Sequence, residues 1–331
     1  MLTRRTFIAR AGATTALIPL AAPALSQRTL QIRLSHVMPA ANPIHAAVEE
    51  TCARITDRTG GRLAFQVFPG AQLGTTTETV EQTSQGEPVI SYTDSSTLAN
   101  FGVPEFSVLG GPFLIEDVEQ GFRLHDSALM QGWYDRLAES GNIRGLALNW
   151  MSGGRHIIGR DPYPEPEDLR GVRVRVPPIE TWRRTFDPLG AVSTTVEFAE
   201  TYSALAQGVV EAAEAPIMSF MSTLWYEVVK EITLTGHFNP FLGWVMSEST
   251  YAQLSSEEQE IIKEEFVNGG MAYSRAVQGE IEEAMETLRG HGVSFHEANT
   301  EAYREATMSF YDAFPQWPEG LADEVRAAAA G

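Results

Sequence analysis

The chain has 331 residues, a single cysteine and a formal net charge of −19 at pH 7. An internal disulfide is therefore excluded, and packing alone must hold a fold large enough for one or two hydrophobic cores. The acidic charge opposes binding to nucleic acid or anionic lipid, so an anionic ligand would depend on locally placed arginines.

The N-terminus has the pattern of an export signal. Residues 3–8 form a twin-arginine pattern, a weakly apolar run follows over 11–22, and small residues close it. The run is too short to span a bilayer, so we expect residues 1–26 to be a signal that is cleaved near Ser26 or Gln27. The mature protein is then expected in the periplasm.

The first third of the chain alternates between strand and helix patterns. The predicted elements are a strand over 30–35, a helix from Pro43 to Gly60, a strand over 63–69, a helix from Thr75 to Gly86 and a strand over 89–92. Asn42-Pro43 and Thr75–Glu78 are helix-start signals. This order predicts a parallel, helix-covered sheet that binds ligands beyond the carboxyl ends of its strands. Those ends carry Ser35-His36, Phe68-Pro69 and Thr93–Ser96.

A second unit of the same kind is predicted from Met151, after a strand over 143–150 that leaves the first domain. Valines at 172, 174 and 176 alternate with Arg173 and Arg175, so both arginines share one face of a strand that Pro177-Pro178 ends.

The pattern after this strand predicts a helix and then a return to the first domain. Thr194-Thr195 is expected to cap a helix in which Phe198, Tyr202 and Leu205 recur at helical spacing and which Gly208 closes. Strands over 233–237 and 244–246 are expected to carry the chain back.

The C-terminal part predicts one very long helix. Ser255 and Glu258 form a capping box, and apolar residues recur at near-helical spacing to about Arg289. About 33 residues would extend roughly 50 Å, so we expect this helix to run along both domains. Gly269-Gly270 within it indicates a kink or a close packing contact.

Arg175 is the strongest candidate for an anion-binding residue. A guanidinium group is always charged and offers a planar fork that matches two carboxylate oxygens. From spacing alone, the alternative is that Arg173 and Arg175 form a solvated strand face. Arg155 is a second candidate, with Arg160 as its competitor.

Aromatic residues near these arginines have two interpretations each. Phe198 either packs on a ligand or belongs to the core, since its helical spacing is typical of core residues. Trp150 and Trp244 lie at the predicted crossings between domains, where each either lines a cleft or fills a hinge.

The sequence contains few features that indicate an enzyme. The chain contains no Gly-x-Ser-x-Gly elbow, no His-Glu-x-x-His and no phosphate-loop motif, and its seven histidines are scattered. We therefore expect no enzyme, no catalytic residue, no cofactor and no metal site. Cys52 falls at a helical core position and is expected to be buried filler.

Several segments, in their order and spacing, resemble the solute-binding proteins of TRAP (tripartite ATP-independent periplasmic) transporters, the DctP-type family. These segments are Leu34–Val37 with Asn42–His45, Gly60–Arg62 with Val67–Gly74, Val103–Glu105 with Gly111–Leu114, Asp168–Pro177 and Phe198–Tyr202. The resemblance implies an α/β fold of two lobes, each a mainly parallel sheet covered by helices, with a long helix spanning both and the ligand cleft between them. Lobe I is expected over 27–150 plus about 239–280, and lobe II over 151–238 plus about 281–331.

The resemblance also implies roles for individual residues. Arg175 matches an arginine that pairs with the ligand carboxylate, Arg155 a second ligand-directed arginine, and Phe198 an aromatic that packs on the ligand. The first lobe would supply polar contacts near Ser35, His36, Asp94 and Ser95. Ala215 stands where the family often has Asn, and Glu211-Ala212 where it has Asp-Gly. Loss of the Asn disfavours a highly hydroxylated ligand such as a sialic or sugar acid.

The function implied is an extracytoplasmic receptor, expected to be a monomer, that captures a small organic acid. It would deliver the acid to small and large membrane permease subunits for ion-gradient-driven uptake. The alternative is a binding module that presents an organic acid to a membrane sensor. The ligand stays open among dicarboxylates, keto or hydroxy acids and aromatic acids.

Overall fold

A computed structural model describes residues 29–331, so the export signal expected over 1–26 lies outside the described residues. The strands are β1 (Leu30–Ser35), β2 (Leu63–Phe68), β3 (Val89–Asp94), β4 (Ile143–Ala147), β5 (Arg155–Gly159), β6 (Arg173–Val176), β7 (Val192–Thr195), β8 (Ala212–Pro216), β9 (Glu231–Phe238), β10 (Leu242–Ser247) and β11 (Ser294–Glu297).

The helices are α1 (Pro43–Arg58), α2 (Thr76–Ser84), α3 (Ser95–Leu98), α4 (Val118–Asp126), α5 (Ala128–Gly141), α6 (Glu180–Phe186), α7 (Thr201–Ala206), α8 (Ile217–Ser222), α9 (Glu248–Tyr251), α10 (Ser256–Gly290), α11 (Thr300–Thr307) and α12 (Leu321–Ala330). Among the described residues, no helix combines the length and apolarity needed to cross a bilayer.

The helix starts in the first third follow the predicted capping signals. The Asn42 side chain accepts a hydrogen bond from the Ile44 amide at 3.2 Å, and Pro43 fills the first helical position of α1. At α2, the Thr75 amide donates to Glu78 Oε2 at 2.8 Å and the Glu78 amide donates to Thr75 Oγ1 at 3.3 Å. Both predicted caps are therefore confirmed.

The first sheet has the strand order β2-β1-β3-β10-β4. β1 is parallel to β2 and to β3, whereas β10 pairs antiparallel with β3 on one side and β4 on the other. The parallel sheet predicted from the N-terminal alternation is thus present, with one antiparallel strand inserted late in the sequence. Cys52 is buried in the apolar cluster under this sheet, as expected.

The second sheet has the order β11-β9-β5-β8-β6-β7. Its one antiparallel strand is β5, which pairs with both β8 and β9, while the pairs β6–β7, β6–β8 and β9–β11 are parallel. Each half of the molecule is therefore built on a mainly parallel, helix-covered sheet, as the predicted fold class requires.

Helix α10 has 35 residues and packs against both halves. Ile262 and Phe266 belong to the apolar cluster of the first sheet, and Met285 and Leu288 to that of the second. The two glycines mark a close approach: a Cβ atom on Gly270 would lie 2.0 Å from Asn149 Oδ1. Gly269-Gly270 was expected to mark either a kink or a close packing contact, and the structure shows the packing contact.

The predicted helix start at Thr194-Thr195 is wrong. Both residues end strand β7, which pairs with β6, and α7 begins only at Thr201 after a 3-10 turn over Phe198–Glu200. Cross-strand pairing with β6 outweighs the local capping preference of the two threonines.

The last helix returns to the first half of the molecule. Leu321, Val325 and Ala329 of α12 pack with Val118 and Phe122 of α4 in one apolar cluster. The chain therefore crosses between the two halves four times: before β5, before β10, along α10 and before α12.

Candidate functional site

A cleft lies between the two sheets, with an empty volume of about 710 Å³ that includes its open mouth. The carboxyl end of β3 supplies one wall, and β6 with the segment after it supplies the other. The lining residues are Val37, Met38, Thr76, Thr77, Tyr92, Thr93, Asp94, Thr97, Arg155, Arg175, Pro177, Pro178, Ile179, Trp182, Glu197, Phe198 and Leu242. Four of the predicted site residues are brought together here: Arg175, Arg155, Phe198 and Asp94.

Arg175 is 2% exposed and projects from β6 into this cleft. Its Nε donates to the Val196 carbonyl at 2.8 Å, and the guanidinium carbon lies 5.7 Å from the centre of the Phe198 ring. Among the described residues it forms no salt bridge, so Nη1 and Nη2 are left without a charged partner. Burial lowers the pKa of Arg175 to about 10, which keeps the group charged at neutral pH.

Arg155 also lines the cleft, but its charge is already matched. Its Nε donates to Glu214 Oε2, and Nη2 donates to Glu214 Oε1 at 2.8 Å and to the Glu214 carbonyl at 2.9 Å. Trp182 Nε1 donates to the same carboxylate at 3.0 Å. Burial alone would raise the pKa of Glu214, but the Arg155 charge and the hydrogen bonds outweigh it and lower the pKa to about 2.

His237 lies behind this pair. Its Nε2 is 3.8 Å from Glu214 Oε2, and its Nδ1 is 2.6 Å from Thr235 Oγ1. Burial lowers the pKa of His237 although the Glu214 carboxylate acts in the opposite direction. A neutral imidazole there leaves the Arg155–Glu214 pair electrically balanced.

On the first-sheet side, Asp94 ends β3 and caps α3. Its Oδ1 accepts from the Thr97 amide at 2.9 Å, and its Oδ2 accepts from Thr97 Oγ1 at 2.7 Å. Burial raises the pKa of Asp94, partly offset by these bonds. Tyr92, two positions earlier on the same strand, also lines the cleft, and its buried hydroxyl has no hydrogen-bond partner among the described residues.

The rest of the lining is largely apolar. Phe198 packs at 5.4 Å from the ring of Trp225, and the Trp182 ring lies under the Arg155 guanidinium at 5.8 Å. Met38, Ile179 and Leu242 add aliphatic surface. Such a mixture of an apolar wall and a few fixed polar groups is typical of small-molecule sites.

Six predicted site residues do not line the cleft. Ser35, His36 and Ser95 are buried behind the wall, and His36 Nε2 lies 3.1 Å from His45 Nδ1. Ala215 is fully buried in β8, paired with His156, so it offers no surface to a ligand.

The two tryptophans fill the hinge rather than the cleft. Trp150 and Trp244 are both fully buried, with ring centres 5.5 Å apart, and Trp150 Nε1 donates to the Phe266 carbonyl of α10 at 2.9 Å. Both rings also contact Phe266 of the long helix, with ring centres 6.4 Å and 6.0 Å away.

The sequence reasoning missed the partner of Arg155 and much of the wall. An acid inside an apolar strand of small residues was the available signal for Glu214, since such a charge is rarely buried unpaired. Tyr92 ends a predicted strand, Trp182 follows one and Glu197 falls in a predicted helix, but none of them belongs to a motif. Within residues 29–331, no three His, Cys, Asp or Glu side chains gather as metal ligands.

Comparison with known proteins supports the resemblance. The model of the family described as bacterial extracellular solute-binding protein, family 7 (DctP) matches residues 34–316. The sialic acid-binding periplasmic protein SiaP of Vibrio cholerae is 26% identical over 254 residues, covering 77% of this chain and 78% of that protein. The C4-dicarboxylate-binding periplasmic protein DctP of Rhodobacter capsulatus is 26% identical over 321 residues, 94% of each chain.

Solved structures give the same result. A TRAP periplasmic solute-binding protein from Desulfovibrio salexigens, in complex with diglycerolphosphate, is 29% identical with a TM-score of 0.87, over 91% of this chain and 97% of that one. A protein of the same kind from Ochrobacterium anthropi, with bound L-fuconate, is 26% identical with a TM-score of 0.87, over 91% of this chain and 99% of that one.

Proposed function

Because the chain belongs to family 7 of the bacterial extracellular solute-binding proteins, the DctP family of TRAP receptors, we propose that it captures a small organic acid between two lobes outside the cytoplasm. The captured acid is delivered to small and large membrane permease subunits, which draw on an ion gradient. Relatives whose names state an acid ligand, sialic acid and C4-dicarboxylates, support this class of ligand.

The observation that carries the proposal is the state of Arg175. A buried guanidinium without a carboxylate partner is costly unless an anion completes it. Its two terminal nitrogens face a cleft with apolar walls, where charge-assisted hydrogen bonds to a carboxylate are shielded from water. Arg155 supports that wall through Glu214 and contributes less net charge to the ligand.

We assign the lobes as the resemblance implies, with one amendment at the C-terminus. Lobe I comprises 27–150 and about 239–280, and lobe II comprises 151–238 and about 281–320. Support comes from sheet membership, since β10 belongs to the first sheet and β11 to the second. Packing of α12 on α4 favours placing Leu321–Ala330 with lobe I.

Two hydrogen bonds across the cleft support capture by closure. Asn42 Nδ2 of lobe I donates to Ser222 Oγ of lobe II at 3.0 Å, and the Thr181 and Ser96 hydroxyls lie 2.9 Å apart. These bonds form only when the lobes approach each other. A ligand shifts the equilibrium towards the closed state by as much as it prefers that state.

A thermal-shift screen of the protein against an organic-acid library tests the proposal. A ligand that binds the folded state alone raises the unfolding temperature, and the stabilisation grows with the logarithm of its concentration once that exceeds Kd. We expect carboxylates to raise Tm and their amides or methyl esters to leave it unchanged. A library in which no carboxylate shifts Tm, or in which esters shift it equally, would contradict the proposal.

A further inference from the structure

The cleft contains one cation that a ligand can use. Of the described residues that line it, Arg155 and Arg175 are the basic ones, and Glu214 already balances Arg155 through three hydrogen bonds. Among the described residues of the cleft, Arg175 therefore remains as the cation that forms no salt bridge. One carboxylate is enough to neutralise it.

Acidic side chains lie at or beside the cleft at three points. Asp94 stands at the end of β3 on the opposite wall, and Glu197 is half-buried at the rim. The N-terminus of α2 also meets the cleft at Thr76 and Thr77, but the Glu78 carboxylate already accepts from the Thr75 amide there at 2.8 Å. Like charges at these three points oppose a second negative group on the ligand.

The first-sheet wall instead offers partners for a hydrogen-bond donor. An ionised carboxylate has about four lone-pair sites, and the two bonds from Thr97 leave Asp94 able to accept more. Tyr92 lies two residues earlier on the same face of β3 and also lines the cleft. A hydroxyl or an ammonium group on a ligand can donate to Asp94, whereas a second carboxylate can only repel it.

From this charge arrangement we propose that the cleft selects monocarboxylates whose far end carries a hydrogen-bond donor, a hydroxyl or an ammonium group, and rejects acids with a second anionic group. Arg175 holds the carboxylate, and Asp94 receives the donor from the opposite wall. The apolar lining between them contacts the carbon skeleton. This inference rests on the proposed function and narrows it to one class of acid.

Two carbon-matched ligand sets test the selectivity by calorimetry with the wild-type protein. The first is butyrate, 4-hydroxybutyrate, 4-aminobutyrate and succinate, and the second is hexanoate, 6-hydroxyhexanoate, 6-aminohexanoate and adipate. In at least one set, we expect a donor-ended acid to bind about tenfold or more tightly than both the diacid and the methyl-ended acid of equal length. Diacids that bind as tightly as the donor-ended acids overturn the selectivity and leave the carboxylate receptor intact.

Two single-residue variants test whether Asp94 and Glu197, the acidic wall of the cleft, cause the preference for donor-ended acids over diacids. Asp94→Asn keeps an oxygen to cap α3, and we expect it to reduce the ratio of donor-ended to diacid affinity about tenfold. The Glu197 side chain makes no helix-capping hydrogen bond, so Glu197→Gln removes only a negative charge. We expect this variant to bind diacids more tightly than the wild type does. Asp117→Asn is the matched control, since Asp117 caps α4 outside the cleft through a 2.7 Å bond from the Gln120 amide.

Failure of the selectivity and failure of the carboxylate-receptor function give different results. Ratios that stay unchanged in both Asp94→Asn and Glu197→Gln overturn the role of the acidic wall. If no acid of either set binds the wild type and the organic-acid screen is also negative, the carboxylate receptor is overturned and the selectivity with it. If the screen identifies carboxylates but every one of them is a diacid, the selectivity alone is overturned.

Discussion

Arg155 donates from Nη2 to Oε1 of Glu214 over 2.8 Å, inside the wall of the cleft, where the Glu214 side chain is fully buried. The pair distinguishes the two cleft arginines, which look alike in the sequence. Arg155 is paired within the second sheet, whereas Arg175 faces the cleft and forms no salt bridge among the described residues.

Replacing Arg175 with Gln should remove ligand binding while leaving the fold intact. Two shielded charge-assisted hydrogen bonds to a carboxylate contribute about 3–6 kcal/mol together, so we expect affinity to fall by at least about a hundredfold. Calorimetry with an acid found in the screen measures the loss. Arg173→Gln is the control, because Arg173 is exposed on the same strand and donates to the Val209 carbonyl at 3.0 Å. Arg175→Gln with affinity within about threefold of wild type would contradict the anchor role.

Replacing Glu214 with Gln should destabilise the protein, since it leaves the buried Arg155 charge without its counterion. We expect a decrease in the free energy of unfolding of about 3 kcal/mol at pH 7. Denaturant unfolding measures it. Glu211→Gln provides the comparison, because Glu211 pairs with Arg173 at 3.4 Å on the surface, where loss of a charge changes stability by less than about 1 kcal/mol.

The stability contributed by Glu214 should disappear in acid. The pKa of Glu214 is lowered from 4.5 to about 2 in the folded protein, so the ionised form is stabilised by folding. The contribution is complete above about pH 4.5 and is lost as the pH falls to about 2. Wild type and Glu214→Gln should therefore converge in unfolding free energy across this window. A difference that stays constant from pH 6 to pH 3 would contradict the pairing.

Replacing Gly270 with Ala should disturb the contact between α10 and the segment that leaves β4. The new Cβ atom would lie 2.0 Å from Asn149 Oδ1 and 2.7 Å from Trp150 Cδ1, so we expect a loss of about 1–3 kcal/mol. Gly279→Ala in the same helix has nothing within 4 Å and should stabilise the protein by about 0.5–1 kcal/mol. Thermal unfolding of the two variants should thus shift in opposite directions.

Replacing Ser222 with Ala should speed ligand release. The variant loses the 3.0 Å bond from Asn42 Nδ2, which joins the two halves here and which we infer breaks when the lobes open. A net contribution of about 0.5–1.5 kcal/mol corresponds to a roughly two- to tenfold faster dissociation rate. Stopped-flow tryptophan fluorescence measures it. Thr223→Ala should leave the rate unchanged, because the Thr223 hydroxyl donates within α8 to the Ser219 carbonyl at 2.6 Å.

Local signals were sufficient for most of the fold. Strand β1 matches its prediction residue for residue, and α10 begins and ends within about one residue of its capping box and terminal glycines. Each of these features depends on neighbours within a few positions in the chain. The helix start predicted at Thr194-Thr195 was wrong because both residues pair with strand β6, which lies about twenty positions earlier in the chain.

The site residues were harder to predict from the sequence than the fold. Their roles depend on which face of a strand or helix contacts residues that are distant in the chain. Arg173 and Arg175 share a strand face by alternation, yet Arg173 is exposed at the start of β6 and Arg175 is buried at the cleft. Trp150 and Trp244 were placed correctly at crossings but face α10. The role of Glu214 follows only from its hydrogen bonds with Arg155, which lies 59 positions earlier in the chain.

The position of β10 has a consequence for the order in which the protein can fold. It lies between β3 and β4, which do not pair with each other, so the centre of the first sheet stays open until residues 242–247 are available. An N-terminal fragment that ends before Leu242 would expose two unpaired strand edges, which are templates for aggregation. The chain must therefore extend to Ser247 before the first sheet can be completed, and no single cut would release either sheet with all of its strands.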